Sequence, residues 1–253
     1  MEKEFLKITA IEKIYDGGSI NETVAIDHIT CSLSKGEFAV LVGGNGAGKS
    51  TFLNLISGSV KPTQGAISLD NQSLVEMPEF LRSRFIARVK QNPNDGIVTS
   101  MTVAENLALA KFRGCRAGFQ QGVKKDQRVE FSELLAPLGL GLEKRLDVQI
   151  GLLSGGQKQA IAMVMAILAK PKLLLLDEHT AALDQKMSKK ILEITEAIVR
   201  QSGLTTIMIT HNINDAICYG DKLIILNNGK IVSEKNGKIK KALRVLEVLE
   251  KFN

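Results

Sequence analysis

The chain has 253 residues, of which 44% are hydrophobic and 24% are charged, and its formal net charge is +6. This composition is typical of a globular protein with a sizeable core; the longest apolar run, residues 160–169, is too short to cross a bilayer, and none of the three cysteines forms a C-x-x-C pair. The first residues lack the basic-then-apolar pattern of a secretory signal, so a cytoplasmic location is expected, with any membrane role needing a separate membrane partner.

The first third of the chain reads as strands around one glycine-rich loop. Strands are predicted at residues 5–11, 24–33, 38–42 and 66–69, and turns separate them. A helix is predicted at residues 49–55, directly after the glycine-rich loop. This part therefore combines an N-terminal β-subdomain with the beginning of an α/β core.

Residues 78–150 read as mostly helical. Thr102 and Glu105 form a capping box at the start of a helix that continues through residues 106–112, and a second helix is predicted at residues 124–135. We expect an α-helical subdomain, at about residues 90–165, inserted into a single domain that spans residues 1–253.

The remainder alternates between helices and apolar strands. Helices are predicted at residues 155–169, 185–200 and 213–219, and strands at 173–176, 205–209 and 222–226. Asn228-Gly229 predicts a hairpin to a strand at 230–232, and residues 239–252 have helical spacing. This alternation is typical of an α/β fold with a mainly parallel sheet.

The glycine-rich loop matches the pattern G-x-x-x-x-G-K-[ST] and lies between a strand and a helix, as that motif requires. Glycines let successive backbone N–H groups point at one anion, and the helix start adds its positive dipole end. Lys49 would place a cation against the β- and γ-phosphates, and Ser50 would offer a hydroxyl to Mg²⁺. The predicted phosphate-binding residues are Gly43, Gly44, Asn45, Gly46, Ala47, Gly48, Lys49, Ser50 and Thr51.

Two carboxylates follow the apolar strand at 173–176. Ligands of parallel sheets bind at the carboxyl ends of the strands, so Asp177 is expected to hold Mg²⁺ through water. Glu178 is placed to accept a proton from an attacking water.

A second anion cradle is predicted at the start of the helix at 155–169. Ser154 at the helix start, followed by Gly155 and Gly156, presents backbone N–H groups and a hydroxyl. An N-cap alone would explain the serine, but it would not explain two glycines that lower helix propensity.

With these motifs in this order, the chain resembles the nucleotide-binding subunits of ABC transporters over about residues 5–233. Two further segments fit: Gln91 looks like the glutamine of the glutamine loop, and His211 looks like the switch histidine. The resemblance implies a P-loop NTPase core in an α/β fold, with ATP and Mg²⁺ bound. It also implies a head-to-tail homodimer and an integral membrane permease that holds the subunit at the inner face of the cell membrane.

The resemblance assigns roles within that dimer. Gln91 contacts Mg²⁺ or the attacking water, and His211 holds the γ-phosphate and Glu178. Tyr15 resembles the aromatic residue that stacks on adenine. Asp184 bridges the two copies. The residues that reach the γ-phosphate of the other copy belong to the signature Ser154, Gly155, Gly156 and Gln157.

A closer resemblance is to a bacterial importer subfamily linked to tryptophan or similar ligands. It implies an ATP-hydrolysing subunit that powers import of a small solute such as an amino acid, delivered by an extracytoplasmic binding protein. His179 stands where most family members have proline; an unperturbed histidine titrates near neutral pH, although a tolerated substitution is the interpretation we favour.

The alternative is a soluble ABC-type ATPase acting in regulation or nucleic-acid remodelling. Two basic clusters would support it if they formed one face. The low aromatic content, 4% with no tryptophan, argues against base stacking, so no nucleic acid is expected as a partner. The clusters are Lys111, Arg113, Arg116, Lys124, Lys125 and Arg128, and Lys235, Lys238, Lys240, Lys241 and Arg244.

Overall fold

The computed structural model describes residues 4–113 and 123–252. The chain divides into two compact units. The first unit comprises Met1–Arg82 and Val199–Asn253, and the second unit comprises Ser83–Ile198. The bounds of the predicted helical subdomain, about 90–165, stay a prediction, and residues 114–122 of it lie outside the described residues.

The elements follow the predicted alternation. The strands are β1 (Glu4–Tyr15), β2 (Thr23–Ser34), β3 (Phe38–Gly43), β4 (Gln64–Leu69), β5 (Gln72–Ser73), β6 (Ile86–Val89), β7 (Leu173–Asp177), β8 (Thr205–Ile209), β9 (Lys222–Asn227) and β10 (Lys230–Asn236). The helices are α1 (Lys49–Ser57), α2 (Glu79–Arg82), α3 (Val103–Lys111), α4 (Lys125–Leu135), α5 (Gly155–Leu168), α6 (Gln185–Ser202), α7 (Ile213–Cys218), α8 (Gly237–Lys241) and α9 (Val245–Leu249). Short 3₁₀ helices occupy Pro93–Gly96, Ala136–Leu138, Leu142–Lys144, Ile150–Leu152 and Glu250–Phe252.

The first unit contains an antiparallel sheet in the order β2-β1-β4-β5. Its central strand β1 places Ile8 opposite Cys31 on β2 and opposite Ile67 on β4. Ile8 and Ile67 are buried, so the sheet covers an apolar layer with one face. The N-terminal antiparallel β-subdomain is therefore confirmed.

The first unit also holds a mainly parallel sheet segment in the order β10-β9-β3-β8. β3 runs parallel to both β8 and β9, whereas β10 is antiparallel to β9. All six residues of β3 are buried, as expected for a parallel strand covered on both faces. The glycine-rich loop thus leaves the carboxyl end of a central buried strand.

The second unit contains the parallel pair β6 and β7, with the helices α3, α4 and α5 between them in the chain. α3 begins with the predicted capping box, because the Thr102 side chain accepts from the Glu105 N–H and the Glu105 side chain accepts from the Thr102 N–H. α3 packs against α5, which leads towards the acidic strand β7. These contacts set the position of the helix that carries Ser154.

Two stretches differ from the sequence prediction. Residues 86–89 form strand β6 within the region predicted to be mostly helical, because pairing with the apolar β7 outweighs the local signal of four residues. The predicted continuous helical segment at 239–252 is broken between α8 and α9. Arg244 has extended backbone there and its N–H donates to the Glu247 carboxylate, which starts a new helix.

Candidate functional site

The loop from β3 to α1 requires glycine at two positions for steric reasons. A Cβ added to Gly43 would lie 2.3 Å from the Leu226 carbonyl oxygen, and one added to Gly48 would lie 2.4 Å from the Ala25 carbonyl oxygen. Gly48 also has φ of +98°, a conformation that other residues rarely adopt. The backbone of this loop is therefore held against neighbouring strands in a shape that only glycine permits.

The start of α1 is open to an anion. Gly48 is its N-cap and no side chain caps the helix, so the first backbone N–H groups keep their donor capacity. The Lys49 Nζ donates to the Gly43 and Gly44 carbonyl oxygens, at 2.9 Å each, which holds the ammonium against the loop. Uncapped N–H groups, a helix dipole and a cation together fit a phosphate chain.

His211 follows β8 in the same unit as this loop. β8 is parallel to β3, and the Thr210 N–H donates to the Leu41 carbonyl oxygen, so His211 leaves the sheet at the same edge as the glycine-rich loop. The following Asn212 caps α7, with its side chain accepting from the Asn214 N–H at 3.0 Å. The His211 side chain is exposed at that edge of the unit.

Tyr15 ends β1 and is half-buried. It pairs in register with Thr23 at the end of the β1–β2 hairpin. The Lys13 Nζ lies 4.9 Å from the centroid of the Tyr15 ring, which leaves the ring beside a cation.

In the second unit, the acidic strand end has a cationic neighbour. The Arg88 Nη2 lies 2.5 Å from the Asp177 Oδ2, and the two side chains are only 17% and 16% exposed. Glu178 follows with φ of +46°, which turns the chain sharply at the end of β7. The predicted metal ligand and the predicted base are therefore adjacent, and the first of them is already ion-paired.

His179 is buried, at 2% exposure, and lies at the start of the loop after β7. Burial lowers the pKa of His179 to about 4, so the ring is neutral at physiological pH. Burial thus argues against titration of His179 near neutral pH, and a tolerated substitution stays the interpretation we favour. The Nε2 lies 3.2 Å from the Thr195 hydroxyl, which itself donates to the Ile191 carbonyl oxygen, so Nε2 carries the proton in this contact.

The signature segment starts α5. Ser154 is the N-cap in a capping box with Gln157, whose N–H donates to the Ser154 Oγ at 3.3 Å. Ser154 is exposed, whereas Gly156 is buried, and a Cβ on Gly156 would lie 2.4 Å from the Met187 Cγ. Gly156 therefore has a packing role against α6 that the sequence argument did not include.

Gln91 follows β6 and is exposed. On its C-terminal side, Asn92 caps a 3₁₀ helix by accepting from the Asn94 N–H at 3.1 Å. On its N-terminal side, the Gln159 amide donates to the Lys90 carbonyl oxygen. Gln91 thus lies on a short loop that is anchored on both sides while its side chain faces solvent.

One group among the described residues has the geometry of a possible metal cluster. Donor atoms of Glu12, Asp27 and His28 lie within 4.8 Å of one another. The Lys230 Nζ is 3.0 Å from the Asp27 Oδ2, and a hydrogen bond to Asp27 raises the pKa of His28. Because cationic groups already balance these carboxylates, we assign no metal to this cluster.

Comparison with known proteins identifies the family. The ABC transporter family profile matches residues 26–181. The chain is 41% identical over 248 residues to a tyrosine transport ATP-binding protein of Clostridioides difficile, covering 98% of each chain. It is 32% identical to the methionine import ATP-binding protein MetN of Mannheimia succiniciproducens, over 90% of this chain and 64% of that longer protein.

Solved structures agree with that result. A dimeric ATP-binding cassette in a post-hydrolysis state with ADP and Pi superimposes with a TM-score of 0.77, at 29% identity, covering 91% of this chain and 98% of that one. The chain belongs to the ABC transporter family, and the predicted P-loop NTPase fold is confirmed. The prediction of an ATP-hydrolysing subunit of an ABC transporter of the import type is also confirmed.

Two observations complete the description. Within residues 4–113 and 123–252, no helix combines the length and hydropathy needed to cross a bilayer. Neither Arg88 nor Thr195 was predicted to have a function, although Arg88 contacts Asp177 at the end of β7 and Thr195 contacts His179 in the loop that follows. For Arg88, the available sequence signal was an arginine inside an otherwise apolar strand. No sequence signal pointed to Thr195.

Proposed function

We propose that this chain forms a head-to-tail homodimer that hydrolyses two ATP molecules and drives a membrane permease that imports an amino acid. The observation that carries the proposal is the uncapped start of α1 with Lys49 folded onto its loop, because that arrangement suits a triphosphate. The dimeric cassette with ADP and Pi supports the mode of assembly.

Nucleotide binding is assigned to the first unit. The loop residues Gly43 to Thr51 wrap the phosphates, with Lys49 neutralising the β- and γ-phosphates. Tyr15 stacks on the adenine. His211 donates to the γ-phosphate and orients Glu178.

The metal and the base are assigned to oxygen-bearing side chains. Ser50, Gln91 and Asp177 supply hydroxyl, amide and carboxylate oxygens, the donor set that Mg²⁺ prefers. Bound Mg²⁺ neutralises charge that develops on the β- and γ-phosphates. Glu178 accepts the proton of the attacking water, which leaves hydroxide to displace ADP from the γ-phosphorus.

The signature acts on the second copy. Ser154 keeps its hydroxyl hydrogen while its oxygen accepts from the Gln157 N–H, so it can donate to a γ-phosphate of the partner nucleotide. The rest of the surface that meets the partner nucleotide is formed by Gly155, Gly156 and Gln157. Hydrolysis removes these contacts, and the dimer reopens.

The transported solute is assigned by similarity. Two of the relatives described above are named for tyrosine transport and methionine import, so an amino acid is the solute class we propose. We further propose Mg²⁺ as the metal, a permease that holds the subunit at the cytoplasmic face, and an extracytoplasmic binding protein that delivers the solute.

The first test uses Glu178→Gln, which removes the base while keeping the shape of the side chain. In the presence of Mg²⁺ and ATP the variant should form a stable dimer with at least about a hundredfold lower turnover, measured by light scattering and phosphate release. The matched control adds Lys49→Ala, which should abolish ATP binding and with it the dimer. Hydrolysis at the parental rate would remove Glu178 from the role of base.

An affinity-tagged form of the Glu178→Gln variant identifies the partners. It is recovered from membranes of its source cells with ATP present, and co-purifying proteins are identified by mass spectrometry. A polytopic membrane protein is the expected result, whereas soluble proteins or nucleic acid alone would contradict the transport assignment.

A further inference from the structure

Arg88 and Asp177 lie on adjacent parallel strands of the second unit. In the register of β6 and β7, Arg88 is the partner of Leu175. Leu175 and Asp177 are two residues apart and so face the same side of the strand. The Arg88 side chain therefore leaves the sheet on the face that carries the Asp177 carboxylate.

Their ion pair is short and largely shielded from water. The Nη2–Oδ2 distance is 2.5 Å, and about five-sixths of each side chain is buried, with 17% and 16% exposed. Shielding strengthens the attraction, and removing one partner of such a pair leaves the other charge poorly compensated. The pair also engages one oxygen of the carboxylate that we assign to the metal.

We propose that Arg88 is an internal counter-ion of Asp177 that suppresses binding of free Mg²⁺ and so makes metal binding depend on nucleotide. This inference rests on the proposed role of Asp177 as a metal ligand. The guanidinium neutralises and orients the carboxylate before the metal arrives. A second cation at the same carboxylate is opposed by this charge unless the phosphates of ATP bring compensating negative charge.

Arg88 is a positioning residue in this scheme, because it acts on the metal only through Asp177. Its place on β6, three residues before Gln91, puts it on the same strand and loop as another proposed metal ligand. Arg88 on β6 and Gln91 on the following loop therefore belong to the same short segment.

The test compares Arg88→Met with the parent in binding experiments that do not depend on turnover. Without nucleotide, MgCl₂ should leave the thermal unfolding midpoint of the parent unchanged but raise that of Arg88→Met. With a fluorescent ATP analogue, the half-saturating Mg²⁺ concentration should be about tenfold lower for Arg88→Met, because a nearby positive charge has been removed.

Three further variants make the result specific. Lys90→Met removes an exposed cation two residues away, whose Nζ lies 3.8 Å from the Asp95 Oδ2, and should behave like the parent. Arg88→Gln should shift the Mg²⁺ dependence in the same direction as Arg88→Met, which covers the case in which the methionine variant does not fold. Arg88→Met combined with Asp177→Asn should lose the nucleotide-free response to Mg²⁺.

The outcomes distinguish the proposed role of Asp177 as a metal ligand from the proposed role of Arg88 as its counter-ion. If Asp177→Asn alone leaves Mg²⁺-dependent nucleotide binding unchanged, the proposed role of Asp177 as a metal ligand fails. If that variant weakens Mg²⁺ binding but the Arg88 variants match the parent or need more Mg²⁺, the counter-ion inference alone is overturned.

Discussion

At the residue scale, His179 illustrates how burial changes the chemistry of a side chain next to a proposed base. The ring is enclosed, keeps its proton on Nε2, and contacts Thr195 on α6. A neutral imidazole with a fixed hydrogen bond ties the loop after Glu178 to that helix. The hydrogen bond to Thr195 is therefore one contact that holds this turn.

This burial predicts a specific pH dependence of stability. The folded-state pKa of about 4 lies below the ordinary value of 6.5, so the unfolded chain takes up the proton first. The contribution of neutral His179 is fully present above pH 6.5 and is lost as pH falls towards 4. Between about pH 7.5 and pH 5, the free energy of unfolding of the parent should therefore fall by roughly 2 kcal/mol more than that of His179→Gln.

Urea denaturation at the two pH values measures the difference. The matched control is His28→Gln, which replaces an exposed histidine whose pKa is raised by its hydrogen bond to Asp27. Because that shift has the opposite sign, the His28 variant should lose stability relative to the parent at low pH. An identical pH slope for the parent and His179→Gln would mean that the folded state lets His179 protonate.

At the scale of elements, the contact between α5 and α6 explains one glycine of the signature. Gly156 faces Met187, whereas a Cβ on Gly155 would lie 3.5 Å from the Leu183 Cδ2, an ordinary contact. The two neighbouring glycines are therefore not equivalent. Gly156 lets two helices approach, and Gly155 remains on the exposed side with Ser154.

Gly156→Ala should consequently lower the free energy of unfolding by about 1–3 kcal/mol through overpacking. Adding Met187→Ala should restore most of that loss, because it removes the atoms that the new methyl group meets. Gly155→Ala is the control and should leave stability unchanged or slightly higher. Urea denaturation gives these values, and failure of Met187→Ala to rescue would place the strain elsewhere.

ATPase measurements on the same variants separate packing from the proposed phosphate contact. If Gly156 also meets the partner nucleotide, the rescued double variant stays slow although it is stable. Recovery of both properties together would limit Gly156 to a packing role.

At the scale of the whole molecule, the net charge is +6, and several cations of the two basic clusters already have partners within the protein. In the first basic cluster, the Lys111 Nζ lies 2.5 Å from the Glu130 carboxylate, and Arg128 pairs with both oxygens of Asp147. In the tail cluster, the Lys240 side chain is buried and donates to the Tyr219 and Gly220 carbonyl oxygens. Three cations of the two clusters, Lys111, Arg128 and Lys240, are thus paired with carboxylates or buried.

We therefore expect no saturable binding of DNA or RNA at about 0.15 M salt. Fluorescence anisotropy with labelled single-stranded and double-stranded oligonucleotides provides the measurement. Glu130→Gln with Asp147→Asn frees the paired cations and serves as a positive control for charge. Tight binding by the parent with a steep salt dependence would revive the nucleic-acid alternative.

The sequence alone predicted most of what is encoded within short segments. The phosphate loop, the acidic strand end and the Ser154 capping box depend on residues a few positions apart, so covalent spacing and local backbone preference suffice to predict them. The strands and helices of the alternating second half were predicted to within a few residues for the same reason. The weak points were β6 and the break before α9, where four-residue or single-residue signals compete with tertiary contacts.

Only the tertiary structure decided how distant residues modify the site. The Arg88–Asp177 pair depends on the register of two strands 80 or more positions apart, and the neutral state of His179 depends on burial against α6. The steric reason for Gly156 likewise depends on how closely two helices approach. The sequence by itself determined which chemical groups this ATPase carries, whereas packing and strand register determined their charge states and partners, because these depend on atoms that no local pattern brings together.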